Sequence, residues 1–442
     1  MQLKKGSSEP KPKYNSISSA LALAASALVG PSSHAEGDFW DFSKDWTFDM
    51  GVLYYGEQDR VSAIEGVFSA THEAEFNDKF NFSIVLDSLT GASPSGAIVQ
   101  QTTQTFTRPS GRGQYIAQAG EIPLDDTFQD TRLQLNAQWT KPAGVNLVAN
   151  YGVHFSKEYD YLSFALNGGL AWDFNKSNTT LSLGASIAND TYEPVGGVPK
   201  PLDSMVIDLG QFNTEADYQN AFDETRINSS DDRQTTDLLL GVTQVINRST
   251  IMQFNYSYSN VTGYLNDPYK VISVVDASGI ALGNLYEKRP DNREKHSFFW
   301  QTKHHLDESV LDISYRYFTD DWDITSHTIE YKHLFYLGED SFIEPQLRYY
   351  SQAAANFYAP YLLQSQPTPE FTSADIRLGE YSALTFGLKY GWQSDNGNQS
   401  AVRFSYYKQS PQDIFTSNPG ILSQTDIYPN LDAIFIQYTY SF

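Results

Sequence analysis

Ile434-Phe435-Ile436-Gln437-Tyr438-Thr439-Tyr440-Ser441-Phe442 closes the chain, and its reading decides the fold. At the two-residue period of a strand, Ile434, Ile436, Tyr438, Tyr440 and Phe442 share one face, and Phe435, Gln437, Thr439 and Ser441 share the other. The first face suits lipid and the second a wet interior. A strand half-buried in a soluble core alternates as well. The aromatic last residue separates the two readings, because a strand ending in Tyr438, Tyr440 and Phe442 is the form of signal that barrel-insertion machinery reads. The stretch therefore predicts the closing strand of a transmembrane antiparallel β-barrel.

The other end agrees. Lys4, Lys5, Lys11 and Lys13 precede a small, apolar run over residues 17–30, followed by Ser33-His34-Ala35. This is the layout of a secretory signal peptide, residues 1–35, cleaved after Ala35. Residues 36–442 are then expected to form a single barrel domain, with 36–44 as a short periplasmic lead. No stretch of the sequence approaches the roughly 18 continuous apolar residues of a membrane-spanning helix, so only a closed sheet can fill a bilayer role. Location in the outer membrane of a Gram-negative bacterium follows.

Composition points the same way. The chain of 442 residues has no Cys, which suits an exported protein held by a continuous hydrogen-bond ladder rather than by disulfides. Its 29 Tyr and 27 Phe suit two interfacial aromatic girdles. The formal charge is −23, and it becomes −26 once the four Lys and one Glu of residues 1–35 are removed. Such a charge excludes nucleic acid as a partner. Outer-membrane lipid and lipopolysaccharide are the expected surroundings.

Along the chain, segments of strand length alternate with tight turns and long loops, giving about 16 strands, an even number as in bacterial barrels. Turn residues mark 140–144, 174–178, 246–249, 306–309, 337–340 and 394–398. Long connections lie near 90–126, 191–232, 261–293, 352–375 and 409–430. With a periplasmic N-terminus, every one of these short turns falls on the periplasmic side and the long loops fall outside. Parity then sorts the charged side chains. Arg132, Arg316, Lys332, Arg348, Lys389 and Arg403 are expected to face the lumen, with Asp312, Glu330 and Glu344. They form either a mixed-charge eyelet for polar solutes or a set of internal ion pairs bracing a closed barrel. The connection 90–126 opens with Gly91, Ala92, Ser93, Pro94, Ser95, Gly96 and Ala97. It is a candidate constriction loop folded into the lumen, or a surface loop packed on its neighbours.

Catalytic and metal chemistry find little footing. No Gly-x-Ser-x-Gly elbow, His-Glu-x-x-His pair or phosphate-cradling glycine loop occurs, and no catalytic residue, metal site or cofactor is expected. Asp320, Asp321 and Asp323 could join His327, but a turn stabilised by its own Asp side chains is the better reading. His304 and His305 point to opposite faces of a strand and cannot readily share a metal. The pairs Asp125-Asp126, Asp231-Asp232 and Asp320-Asp321 lack EF-hand spacing and read as solvated loop charge.

Several segments resemble an uncharacterised bacterial outer-membrane family, domain of unknown function 3570, over most of the mature chain. They are Leu89-Thr90-Gly91-Ala92-Ser93-Pro94-Ser95-Gly96-Ala97, Ser156-Lys157-Glu158-Tyr159-Asp160-Tyr161 and Pro194-Val195-Gly196-Gly197-Val198-Pro199. Further on come Gly263-Tyr264-Leu265-Asn266-Asp267-Pro268-Tyr269-Lys270, Tyr286-Glu287-Lys288-Arg289-Pro290-Asp291 and Thr319-Asp320-Asp321-Trp322. The resemblance implies an outer-membrane barrel without an established activity, and it points to a periplasmic lipoprotein or an exported redox protein as partner. The expected function is porin-like passage of small polar solutes. The alternative is a non-conducting barrel serving as platform or sheath for such a partner, and a surface hydrolase ranks third.

Overall fold

The alternation read from the sequence runs through sixteen strands, which hydrogen-bond in chain order into one closed antiparallel barrel. The computed structural model describes residues 46–442 apart from 59, 76, 77, 413–417 and 429. The predicted signal peptide, 1–35, lies outside the described residues. The strands are β1 Trp46–Glu57, β2 Val61–Glu73, β3 Lys79–Pro94, β4 Leu124–Gly144, β5 Leu147–Lys157 and β6 Tyr161–Phe174. They continue as β7 Thr179–Tyr192, β8 Asp231–Asn247, β9 Thr250–Gly263, β10 Asn292–Leu306 and β11 Ser309–Asp320. The last five are β12 Thr325–Tyr336, β13 Ser341–Gln352, β14 Tyr381–Gln393, β15 Gln399–Pro411 and β16 Leu431–Ser441. The ring closes where β1 pairs with β16, from Asp49 opposite Ser441 to Glu57 opposite Ala433. Just past that register, Phe48 and Phe442 exchange two backbone hydrogen bonds of 2.9 Å, so the terminal Phe is part of the seam. Closure leaves no strand edge unpaired, which is the condition for a sheet to cross a bilayer.

The apolar side chains sit outside. Leu86, Leu240, Phe254, Phe298, Ile329 and Phe404 are all about half exposed, on the outward parity of six different strands. Water would penalise such a surface and lipid favours it. Aromatic contacts reinforce the outer face. Trp139 stacks between Phe80 and Tyr151 with centroids 5.9 Å apart on both sides. Tyr256, Phe298, Tyr317 and His327 form a ladder across β9 to β12 at 5.0, 6.5 and 5.3 Å.

Seven short turns lie at the end that holds Trp46 and Phe442, taken as the periplasmic end, and the five long loops lie at the other with three short connections, 58–60, 158–160 and 321–324. Two boundaries differ from the sequence reading. The turn expected at 140–144 lies at 145–146, because β4 runs on through a register shift between Pro142 and Gly144, where a bulge tolerates proline's missing N–H. Likewise β3 continues to Pro94, so Gly91, Ala92, Ser93 and Pro94 are wall rather than loop. Gly91 makes this possible. Its φ is +134°, and a Cβ there would lie 2.1 Å from the carbonyl oxygen of Arg60.

The five long loops are 95–123, 193–230, 264–291, 353–380 and 412–430. The second carries the one regular α-helix among the described residues, Glu215–Glu224, started by a Thr214–Asp217 capping box. The third supplies an antiparallel pair, Val271–Val275 with Ala281–Tyr286, and the fourth adds Tyr361–Leu363 in parallel to Val271–Val275.

Candidate functional site

Contacts that skip a strand place Arg132, Arg403 and Glu344 on the concave side, the inner wall, because only on the inside of a curved sheet can side chains two strands apart converge. Strand alternation puts the other six charged residues assigned to the lumen on that same face. Arg132 on β4 reaches Asp87 on β3 at 2.5 Å and Glu65 on β2 at 3.5 Å. Arg403 on β15 reaches Glu344 on β13 at 2.8 Å, across β14. Lys332 pairs with Glu330 at 2.7 Å, and Lys303 with Asp312 at 3.6 Å. Gln301 donates to both oxygens of Asp312, at 2.8 and 3.0 Å. Arg316 lies over the ring of Phe299 at 5.4 Å and Lys389 over Phe342 at 5.3 Å.

Charge is unevenly placed around this wall. Strands β11 to β15 carry Arg316, Lys332, Arg348, Lys389 and Arg403 against Asp312, Glu330 and Glu344, whereas β1 to β3 carry Asp49, Glu65 and Asp87. At mid-height β6 and β7 present Ser163, Ala165, Gly169, Ser182, Gly184 and Ser186, whose small side chains leave room. Near the periplasmic end a cavity of about 620 Å³ is bordered by Asp49, Glu65, Lys389, Gln437 and Thr439.

Over the outer mouth, the described residues of the five long loops interlock into a cap. Ala97, Phe106, Tyr115 and Ala117 of the first pack with Val271 and Tyr286 of the third. Ile98 of the first meets Val275 of the third, Tyr361 of the fourth and Leu422 of the fifth. The helix of the second loop joins through Tyr218, whose hydroxyl donates to Thr107 at 3.1 Å. Polar contacts bind the same partners. The Ile98 amide donates to Ser273 Oγ at 3.0 Å, and Gln100 donates to the Gly279 carbonyl at 3.1 Å while accepting from the Ala281 amide at 3.0 Å. These contacts join loops six strands apart in a ring of sixteen, so they cross the mouth.

A buried ionic cluster locks the third loop to the fourth. Arg289 Nη2 donates to Glu287 at 3.0 Å and to Asp375 at 2.9 Å, and both carboxylates are almost inaccessible. Arg377 adds bonds to Asp375 at 2.5 Å and to Asp267 at 2.7 Å. The Lys270 ammonium donates to the Pro94 carbonyl and so ties the cluster to the top of β3. Burial alone would raise the Asp375 carboxyl, but Arg377, Lys270 and Arg289 outweigh it and hold Asp375 well below the usual carboxylate range. For Glu287 burial prevails over Arg289, and its pKa is raised.

The candidate constriction segment divides between wall and cap. Gly91 to Pro94 top β3. Ser95 accepts from the Val271 amide at 2.9 Å and donates its own to the Pro123 carbonyl at 3.1 Å, while Ala97 lies in the cap's apolar core. Gly96 has φ +91°, and a Cβ there would lie 2.5 Å from the Val271 carbonyl oxygen. Tyr438 and Phe442 face outward as the closing strand predicts. Asp320 does not join His327. It binds Arg293 and accepts from the amides of Trp322 and Ile324, while His327 meets the Tyr315 hydroxyl at 2.8 Å on the outer face. Asp125 pairs with Arg108 at 3.2 Å. Among the described residues no three His, Asp or Glu gather as metal ligands would.

The cap cluster escaped the sequence reading as a site, although Asp267, Lys270, Glu287 and Arg289 stand in segments quoted for the family resemblance. All six of those segments map to the outer end of the barrel.

No curated protein sequence matches the chain. Among solved structures it is similar to the siderophore receptor PirA from Pseudomonas aeruginosa, at 9% identity and TM-score 0.40, covering 90% of this chain and 63% of that one. The PirA receptor from Acinetobacter baumannii matches at 8% and 0.41, covering 82% and 53%. The chain thus spans less than two thirds of either receptor's length. OccD3 (OpdP) from Pseudomonas aeruginosa matches at 10% and 0.42, covering 91% of both chains. Likenesses this loose carry no argument, and the barrel rests on its own register. The sequence comparison is more specific: over residues 18–442 the chain matches, and belongs to, the family described as "Protein of unknown function (DUF3570)".

Proposed function

We propose that this protein resides in the outer membrane of a Gram-negative bacterium, passes small polar solutes and uses its outer loops as a gate. The carrying observation is the inner wall. Charged and small polar residues line it from β11 round to β3, and a cavity of about 620 Å³ lies at its periplasmic end. Side-chain charge on a pore wall is what selects solutes. Outer-membrane lipid and lipopolysaccharide surround it, and the barrel-insertion machinery reads its last strand.

The interlocked cap favours a second reading, a non-conducting barrel that offers its periplasmic end to a lipoprotein or an exported redox protein. Liposome swelling in a neutral sugar separates the two. The variant removes residues 97–121, whose flanks are already joined by the Ser95 to Pro123 hydrogen bond of 3.1 Å. Swelling of vesicles carrying the excised variant, with little or none for wild type, is the expected result. No swelling from either, with both barrels folded, overturns the passage reading.

A further inference from the structure

Among the arginines assigned to the lumen, Arg132 and Arg403 are paired with carboxylates, and Arg316 and Arg348 are not. Among the described residues neither makes a hydrogen bond or ion pair, although charged neighbours lie close by. Glu330 is the nearest acid in the register, directly across from Arg348 and one position diagonal to Arg316. Its oxygens are already engaged by Lys332 at 2.7 Å and by Gln346 at 2.5 Å. Glu344 is likewise held by Arg403, and Asp312 by Gln301 and Lys303. Thr328 lies opposite Arg316 and Thr385 opposite Arg348, so small hydroxyl side chains flank both guanidinium groups.

The two arginines project from β11 and β13 on the same concave face, two strand spacings apart and offset by one diagonal step. Their Cα atoms are therefore roughly 10–12 Å apart, from a strand spacing of about 4.8 Å. Arginine side chains are long enough for both guanidinium groups to reach one small anion from that separation. Guanidinium presents forked donors matched to carboxylate and phosphate oxygens. Across the ring, Asp87 and Glu65 are engaged by Arg132, at 2.5 and 3.5 Å.

We propose that Arg316 and Arg348 form an oxyanion site in the lumen and that the solutes handled here are small carboxylates or phosphates. This rests on the passage reading for its role, but the binding itself does not require conduction. Uncommitted like charges held on one wall are relieved by a bound anion, and the net-negative exterior makes the inner cationic arc a local exception. The site selects by charge and size.

Isothermal titration of the folded protein in neutral detergent with inorganic phosphate and, separately, with citrate tests this directly. Wild type is expected to bind at least one of them. Arg316→Gln with Arg348→Gln should weaken binding at least tenfold, and Arg132→Gln, whose arginine is committed to Asp87 and Glu65, should bind as wild type does. Heat-modifiable gel mobility confirms folding of each variant. No binding by folded wild type, or equal binding by the double variant, overturns the site. Reversal potentials across bilayers holding the 97–121 excision separate the two readings: current without anion preference in a protein that also fails to bind removes only the oxyanion site, whereas binding without current removes only passage.

Discussion

Arg289 carries the cap. It is the shared donor of two buried carboxylates, and removing one partner of a buried ionic set costs about 3–5 kcal/mol because the remaining charges stay unpaired. Arg289→Ala should therefore loosen the cap without opening the barrel. Hydrogen exchange at the amides of residues 271–275 should accelerate while exchange within β3 and β8 does not. Acid should act through Asp375. Its pKa is depressed, so the stability it contributes is present above its unfolded value, about 4, and is lost as pH falls through the folded value. Glu287 works in the opposite sense, since a raised carboxyl contributes at low pH and loses that contribution as pH rises. The cap should hold in mild acid and loosen only well below pH about 4, with Asp375→Asn removing that acid limb. At this scale sequence parity placed the wall charges and nothing more. The pairs that join the third loop to the fourth, Arg289 with Asp375 and Arg377 with Asp267, lie 86 and 110 residues apart, on loops with no periodicity to align them.

At the scale of a strand, the two-residue period is enough to read both faces, because lipid and lumen impose opposite demands on successive side chains. Leu238, Leu240 and Val242 of β8 face out and Leu239 and Gly241 face in, as alternation requires. Leu240→Arg should cost about 2–4 kcal/mol if the residue lies near the midplane, falling toward zero at the interfaces. Urea unfolding from lipid vesicles would show it. The same substitution at Leu239, on the lumen side, should cost clearly less. Deleting Phe442 removes the residue whose backbone pairs with Phe48, so assembly into membranes should fall while the rest of the strand still pairs. Strand ends were harder to read. Pro142 and Pro94 look like turn residues in sequence, yet they occupy strands, one at a bulge and the other where a wall strand ends. Local composition cannot tell a proline that ends a strand from one that a bulge accommodates.

For the whole molecule, the even strand number, the single ring and the location of long loops at one end follow from the chain's own alternation. That those loops close upon one another does not, since contacts such as Ile98 with Ser273 or Gln100 with Gly279 depend on the ring having first brought distant connections to the same mouth. On the proposed reading, a polar lumen under an interlocked cap is a conduit closed at rest. Single-channel conductance in a planar bilayer, comparing wild type with the 97–121 excision, tests this most directly. Rare, small openings in wild type and sustained, larger ones in the excised barrel are expected. Silence from both barrels, each shown to be folded, would contradict a conduit, and equal, stable conductance from both would contradict a gate.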